Sequence, residues 1–349
     1  MHTYPRINRK SESDIEKSTN LNQLYTELVE DIYENGTILT KKDGTTLKEI
    51  IPATIEISNP KHAILTQPFR MYNPAFMVAE CLWNLCGDKT EWLADYNWKY
   101  RKYFKEGILE AGYGNRIING SINQLEQVVN LLKDKPDTSR ATISIFNAEE
   151  DYKETNFVPC ISFLKFRILE DSEGKKQRLY MWSFMRAQDI WKGFPYDIFL
   201  LLSIFQYVAE TLGMEMGSYF HVCDTIRLYS EDMTDIEYFM KNAKTNVMPG
   251  VIELKNNNNC TRFSDFQKYR DLIMNDVYDL GSIASIPEYW KNAILTCWTY
   301  KNIKVLKYED AYILLKMITN EFAQQTINWS RRYNRSFYEF YESKGKNMR

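Results

Sequence analysis

The stretch PYDIFLLLSIFQYVAETLGM, residues 195–214, constrains the chain more than any other. Read as a helix it is roughly 30 Å long at about 1.5 Å per residue. It is apolar on almost every side, so other elements must enclose it. Tyr196, Asp197, Gln206 and Glu210 interrupt it, which argues against a membrane span, and no other run approaches about 18 apolar residues. A chain of 349 residues, 44% hydrophobic, is long enough to build the enclosure.

Flanking patterns supply the enclosing elements. Leu21, Leu24, Leu28 and Ile32 recur at helical spacing within residues 21–35, and GTILTKKDGTTLKEI reads as a turn-rich hairpin. In NPAFMVAECLWNLCGD, Asn73 is an N-cap candidate with Pro74 at the first helical position and Gly87 as the stop. SINQLEQVVNLLKDKPD is a further helix ended by Pro136. ATISIFN alternates as a strand, and CISFLKFRILEDSEGKKQRLYMWSFMRAQD reads as two strands joined by a polar turn near 170–177. GSYFHVCDTIRLYSED reads as one more strand. The Asn run at 255–260 marks a loop, and the last 80 or so residues alternate helical and charged patterns around Trp290, Trp298 and Trp329 as core anchors. Residues 1–20 have the composition of a mobile terminus. No repeat or long linker divides the chain.

Net charge is −2, from 44 basic and 46 acidic residues. This balance lacks the basic face of a protein that grips a nucleic-acid polymer and suits a small ligand met by a few arginines. The six cysteines form no CxxC pair or disulfide framework, and three histidines argue against a metal site. The polar start is not a signal peptide. A reduced, cytoplasmic setting, with free thiols and no membrane partner, is the expectation.

Three places could carry chemistry. Cys160 follows a proline at the start of an apolar strand. It is either a structural filler or a nucleophile, and the latter needs a positive charge nearby. MRAQDIWKGFPYDI, residues 185–198, is dense in charged, aromatic and turn residues, as a ligand-facing strand-to-helix loop would be. Glu80 sits among Ala79, Leu82, Trp83 and Leu85. It is either exposed on a polar stripe or buried with a raised pKa suited to proton transfer.

Taken together, PDTSRATISIFN, VPC, MRAQDIWKGFPYDI and the LYS at 228–230 occur in an order that resembles thymidylate synthase and its relatives, the pyrimidine nucleotide hydroxymethylases. That family shows PDSRR, a Ser-x-x-Asn strand, Pro-Cys, QRSxDxxLGxPFNI and a strand ending in LYS. YNPAFMVAECLWNLCGD and AGYGNRI resemble its glutamate-bearing helix and Tyr-Gly segment. The resemblance covers roughly residues 60–232. It implies an α/β (α+β) fold, a mixed sheet packed with helices and dimerising through the sheet. The whole of 1–349 would be one catalytic domain with elaborations at 1–55 and 235–349.

The resemblance also implies roles. Cys160 would add to C6 of a pyrimidine nucleoside monophosphate, activating C5 toward the one-carbon unit of 5,10-methylenetetrahydrofolate. Glu80 would organise proton transfers. Arg186 would hold the phosphate and lower the thiol pKa, Arg140 would reach the phosphate from the second subunit of a homodimer, and Asp189 would lie near the pteridine and the ring as a catalytic and cofactor-binding residue. Tyr229 would touch the sugar, Arg227 the substrate and Trp83 the cofactor. Where the synthases have Asn, this chain has Asp197. An amide both donates and accepts, as uracil requires, whereas a carboxylate only accepts, which suits the amino group of cytosine. Asp at this place resembles the family's deoxycytidylate hydroxymethylases, and that resemblance implies C5 hydroxymethylation of dCMP or CMP, with uridylate methylation or hydroxymethylation, or a non-catalytic nucleotide binder, as the alternatives. The family's other landmarks differ here: Ser139, Ala187, Ile161 and Arg227 replace Arg, Ser, His and His. Lys61 stands near the missing phosphate loop, and ESKGKNMR replaces the apolar C-terminus. Phosphate and sugar recognition are accordingly altered.

Overall fold

The computed structural model describes residues 2–3, 20–153, 157–170, 177–243, 250–251, 263–275, 278–319 and 321–346. Residues 1 and 4–19, most of the segment near 170–177 where a turn is expected, and KNNNNC at 255–260 lie outside them.

A mixed six-stranded sheet organises the fold. Its strands are β1 (His2–Thr3), β4 (Ala53–Ile57), β6 (Thr142–Ser144), β7 (Ile161–Glu170), β8 (Gln177–Met185) and β10 (Met216–Cys223), in the order β1-β4-β10-β8-β7-β6. β10 runs parallel to β8 and antiparallel to β4, and β7 pairs antiparallel with β8. Along β8, Leu179, Met181, Ser183 and Met185 are buried while Tyr180, Trp182 and Phe184 are only partly covered. This is the period-2 alternation of a sheet with one face on the core. A second sheet has the order β2 (Thr37–Thr40), β3 (Thr46–Ile50), β11 (Ile226–Tyr229), β9 (Gln188–Asp189). β2 and β3 form the expected hairpin. β5 (His62–Ile64) pairs with β12 (Gly250–Val251).

The expected single strand at 217–229 is in fact two. β10 ends at Cys223 and β11 starts at Ile226 in the other sheet. The crossing is held by the Asp224 N–H on Met185 O (2.9 Å) and the Gln188 N–H on Thr225 O (2.8 Å).

The helices are α1 (Leu21–Asn35), α2 (Pro74–Leu85), α3 (Tyr113–Ile118), α4 (Gln124–Asp134), α5 (Phe194–Leu212), α6 (Met233–Asn242), α7 (Phe263–Met274), α8 (Glu288–Lys304), α9 (Tyr308–Met317), α10 (Glu321–Tyr333) and α11 (Arg335–Lys346). Short helical turns lie between them. α5 is the apolar stretch of residues 195–214. It is enclosed as required, by β8 and β10 on one side and by α2, α4 and β5 on the others. Each fully buried Leu, Ile or Phe along it contributes about 1.5–3 kcal/mol. Asn73 caps α2 as expected, its side chain accepting from the Ala75 and Phe76 N–H groups at 3.1 and 3.2 Å. Beyond α7, α8 packs on α2, and Trp290, Trp298 and Trp329 are buried. One hydrophobic cluster runs from Leu21 to Phe337. No helix among the described residues is long and apolar enough to cross a membrane.

Candidate active site

Cys160 immediately precedes β7 and is partly exposed, whereas Cys81, Cys86, Cys223 and Cys297 are buried. Its loop is braced by Arg186, which follows β8. The Arg186 N–H donates to Cys160 O (2.9 Å). The guanidinium donates through Nε to Pro159 O and through Nη2 to Val158 O, both at 2.8 Å. Arg186 thus spends two of its donors holding the cysteine loop, and its side chain is otherwise exposed. The charge of Arg186 does act to lower the thiol pKa, as expected, but the net shift is upward. Burial pushes the Cys160 thiol up, opposed by the charges of Arg186 and Arg227 and reinforced by Asp197 and Asp189. Desolvation outweighs the two cations because it acts on the whole sulfur, while each cation is offset by a carboxylate.

Glu80 comes from α2, where every other residue is buried and it alone is half-buried. The Tyr100 hydroxyl donates to its Oε1 at 2.5 Å. Burial nevertheless pushes the carboxyl up to about 8, with Asp197 adding to the rise and the Tyr100 bond opposing it. The exposed alternative read from the local pattern does not hold.

Asp197 lies in the first turn of α5, where an exposed acid would be favoured by the helix dipole. Here burial dominates. The carboxyl is pushed up to about 6, against the Gln188 hydrogen bond and with the help of Asp189. Asp197 Oδ2 accepts from Gln188 Nε2 at 2.9 Å. Asp189 Oδ1 accepts from the N–H groups of Trp191 (2.9 Å) and Lys192 (2.7 Å). This tight turn leaves Oδ2 for a ligand, and burial raises the carboxyl's pKa.

Tyr113 closes the group. It feels the charges of Cys160, Asp197 and Glu80, and the main chain at Cys160 faces its hydroxyl. The chain sets Tyr113 there by lying flat on α2. The Gly114 N–H donates to Asn84 Oδ1 (2.8 Å), and a Cβ at Gly114 would fall 1.9 Å from Asn84 O.

Cys160, Glu80, Asp189, Asp197 and Arg186 therefore share one electrostatic neighbourhood, drawn from α2, β7, β8, β9 and α5. The other expected residues sit differently. Arg227 Nε is paired with Glu49 Oε2 at 3.1 Å and lies 3.2 Å from Thr225 Oγ1, although its charge still reaches Cys160. Tyr229 is partly exposed, with Lys41 Nζ 5.2 Å and Lys192 Nζ 6.0 Å from its ring centre. Arg140 stands exposed just before edge strand β6. Trp83, the expected cofactor contact, is packed in this structure. Its ring is 2% exposed, its N–H donates to Thr90 O (3.0 Å), and a Cβ at Gly112 would meet it at 2.3 Å. Packing leaves it no open face.

Sequence reasoning missed Tyr100, Gln188 and His221, and gave Tyr113 no role. The only available signal was the aromatic run from Trp98 to Phe104, which has the composition of a ligand-facing loop.

Comparison with known proteins shows the family to which this fold belongs. The thymidylate synthase family profile matches residues 23–285, reaching further in both directions than the quoted motifs. The chain is 30% identical over 226 residues to a deoxyuridylate hydroxymethyltransferase of Bacillus phage SP01, an alignment covering 60% of this chain and 57% of the phage protein. It is 26% identical over 225 residues to a deoxyuridylate hydroxymethyltransferase of Pseudomonas phage M6, covering 63% of each. It is 26% identical over 212 residues to a putative thymidylate synthase of Methanosarcina mazei, covering 60% of this chain and 87% of that one. The chain thus spans little more than half the length of the phage SP01 protein. With the profile extending from α1 to the segment preceding α8 and the cysteine, glutamate and two aspartates gathered in one neighbourhood, the chain belongs to the thymidylate synthase family.

Proposed function

We propose that the protein transfers a one-carbon unit to C5 of a pyrimidine nucleoside monophosphate, and that the nucleotide is a cytidylate and the product hydroxymethylated. The observation that carries the cytidylate reading is the Asp197 carboxyl. It is withdrawn from water and bonded by Gln188, unlike an acid that merely caps a helix. A carboxylate oxygen accepts from the amino group of cytosine, where an amide would serve uracil. The hydroxymethyl product is supported by the names of the two phage relatives. Those names favour uridylate as the second reading.

In this mechanism Cys160 Sγ donates its electron pair to C6 of the base, and the C5–C6 π pair moves onto C5. The thiol proton must leave first. It passes to solvent before the base covers the sulfur, because further desolvation would hold the thiol protonated, and the charges of Arg186 and Arg227 favour the thiolate against that burial. Glu80, protonated at neutral pH and oriented by Tyr100, hands a proton toward the base as charge develops and is the group that takes up the C5 proton afterwards. Methylenetetrahydrofolate, when bound, supplies the carbon at the oxidation level of formaldehyde. The donor set fits a pteridine, because Asp189 takes the Trp191 and Lys192 N–H groups on one oxygen and leaves the other facing the site. Arg186 retains its remaining donors for the phosphate.

The outer face of the large sheet supports a homodimer. Phe163 stacks on Phe184 with ring centres 4.1 Å apart, and Trp182 on Phe220 at 4.9 Å. All four rings are only partly covered, and a contiguous apolar patch of this kind marks an interface. In such a dimer the partner subunit's Arg140 would complete the phosphate site.

The direct test is tritium release from C5-labelled dCMP, CMP and dUMP with methylenetetrahydrofolate. Release with a cytidylate well above dUMP is expected. Absence of release from every pyrimidine nucleotide by the intact protein would sink the enzymatic reading, and preference for dUMP would transfer it to uridylate.

A further inference from the structure

Behind Asp197 runs a buried chain of hydrogen bonds with only one consistent direction. Gln188 Nε2 lies 3.1 Å from the main-chain oxygen of Asp189 and 2.9 Å from Asp197 Oδ2. A main-chain carbonyl can only accept, so this end of the side chain must be the NH2 group. Gln188 Oε1 then accepts from His221 Nε2 at 2.9 Å, which puts the imidazole proton on Nε2. His221 Nδ1 is left to accept from the hydroxyl of Tyr219 (2.7 Å) or Ser183 (3.0 Å), which are 2.6 Å from each other. The parallel register of β8 and β10 sets Ser183 beside His221. Gln188 is 1% exposed and Ser183, Tyr219 and His221 are 0% exposed. No water competes for these bonds, and burial keeps the imidazole neutral, its pKa pushed down to about 3. Gly193 makes room for the arrangement. A Cβ there would sit 3.0 Å from Gln188 Nε2 and 3.1 Å from Asp197 Oδ2.

We propose that Gln188, held in one orientation by the Asp189 carbonyl and His221, is a positioning residue that fixes Asp197 Oδ2 as a hydrogen-bond acceptor and so sets which pyrimidine the site takes. The proposal rests on Asp197 meeting the base edge. Gln188 donates one N–H to the carboxylate and cannot turn over to accept from it, because its oxygen would then face the Asp189 oxygen. The bond favours the ionised carboxylate against Asp189 and Glu80, the acids that face it from β9 and α2. An ionised Asp197 accepts from an exocyclic amine. Without the Gln188 donor, Asp197 holds a proton more readily and can donate to an exocyclic carbonyl instead. The lock therefore works against uracil.

The experiment measures kcat/KM for dCMP and dUMP by tritium release, with thermal unfolding as a check of integrity, in the parent chain, Gln188→Met, His221→Phe, His221→Gln and the double variant Gln188→Met with His221→Phe. The double variant leaves no buried polar atom without its former partner at that bond. The dCMP-to-dUMP ratio should fall at least about tenfold in Gln188→Met and in the double variant, about 1.4 kcal/mol of discrimination. It should fall in His221→Phe and stay near the parent value in His221→Gln, whose amide can still donate to Gln188. If the Gln188→Met proteins fail to fold, Gly193→Ala, which pushes the same two groups apart, should lower the ratio. Rates that fall equally for both nucleotides, leaving the ratio unmoved, would overturn the proposal and reduce Gln188 to a packing role. A parent that turns over neither nucleotide defeats the catalytic reading alone. The ratio of dissociation constants from calorimetry then decides the positioning role, and an unmoved ratio or binding of neither nucleotide overturns it.

Discussion

Replacing Glu80 by Gln separates the charge of this acid from its shape. Burial pushes the folded-state carboxyl from its ordinary 4.5 up to about 8. At about 1.36 kcal/mol per pKa unit, this corresponds to roughly 5 kcal/mol of preference for the protonated form. The folded pKa lies above the unfolded one, so the folded chain binds the extra proton and loses stability as pH rises. Below about pH 4.5 both states are protonated and Glu80 costs nothing. The cost grows between there and about pH 8, and is complete above it. Gln is neutral throughout and its carbonyl can still accept the Tyr100 hydroxyl. Urea unfolding near pH 5, 7 and 9 should find Glu80→Gln more stable than the parent by a margin that widens with pH, on the order of 3 kcal/mol near neutrality. The same variant should lose about 10²–10⁴ in turnover, the usual worth of a proton-transfer group. A stability difference that stays constant across this range would refute the argument, because it would mean that the carboxyl is already ionised in the folded chain.

Three further outcomes are expected. Cys160→Ser should abolish tritium release while calorimetry still detects nucleotide binding, since Arg186 and Asp197 remain. Asp197→Asn should move preference from dCMP toward dUMP by about ten- to a hundredfold in competitive tritium release, the worth of roughly 1–3 kcal/mol for a base-reading pair. Asp151→Ala should lower stability by about 3 kcal/mol in urea unfolding. It strands Arg116, whose guanidinium grips Asp151 at 2.5 and 2.7 Å in a largely buried pair.

Much of the scaffold was legible because its signals are local. Asn73 and Pro74 announce the start of α2, the Gly-containing turn between β2 and β3 announces a hairpin, and the alternation in β8 tells core from surface. The site was legible only where several motifs coincided, as with Cys160, Asp189 and Asp197. What escaped depends on contacts remote in sequence. The burial of Glu80 could not be read because α2 is apolar on all faces and has no polar stripe to orient it. Nothing local to Arg227 announces that β11 brings it against Glu49, 178 positions away. The break between β10 and β11 leaves no mark in composition. Gln188 and His221 meet only because strands of two different sheets pass each other at that point.

One wall of the helix that carries Glu80 is α8, which lies wholly outside the family match. Cys297 of α8 reaches Ala75 O with its sulfur at 3.6 Å, and Tyr300 bonds Tyr96 O at 3.0 Å while stacking on the Tyr96 ring. By packing on α2, α8 helps to hold the backbone on which Glu80 is mounted. Substitutions along α8 therefore reach Glu80 only through the backbone of α2, so a segment added beyond the family match can shift the helix that bears the acid without altering any residue of that helix.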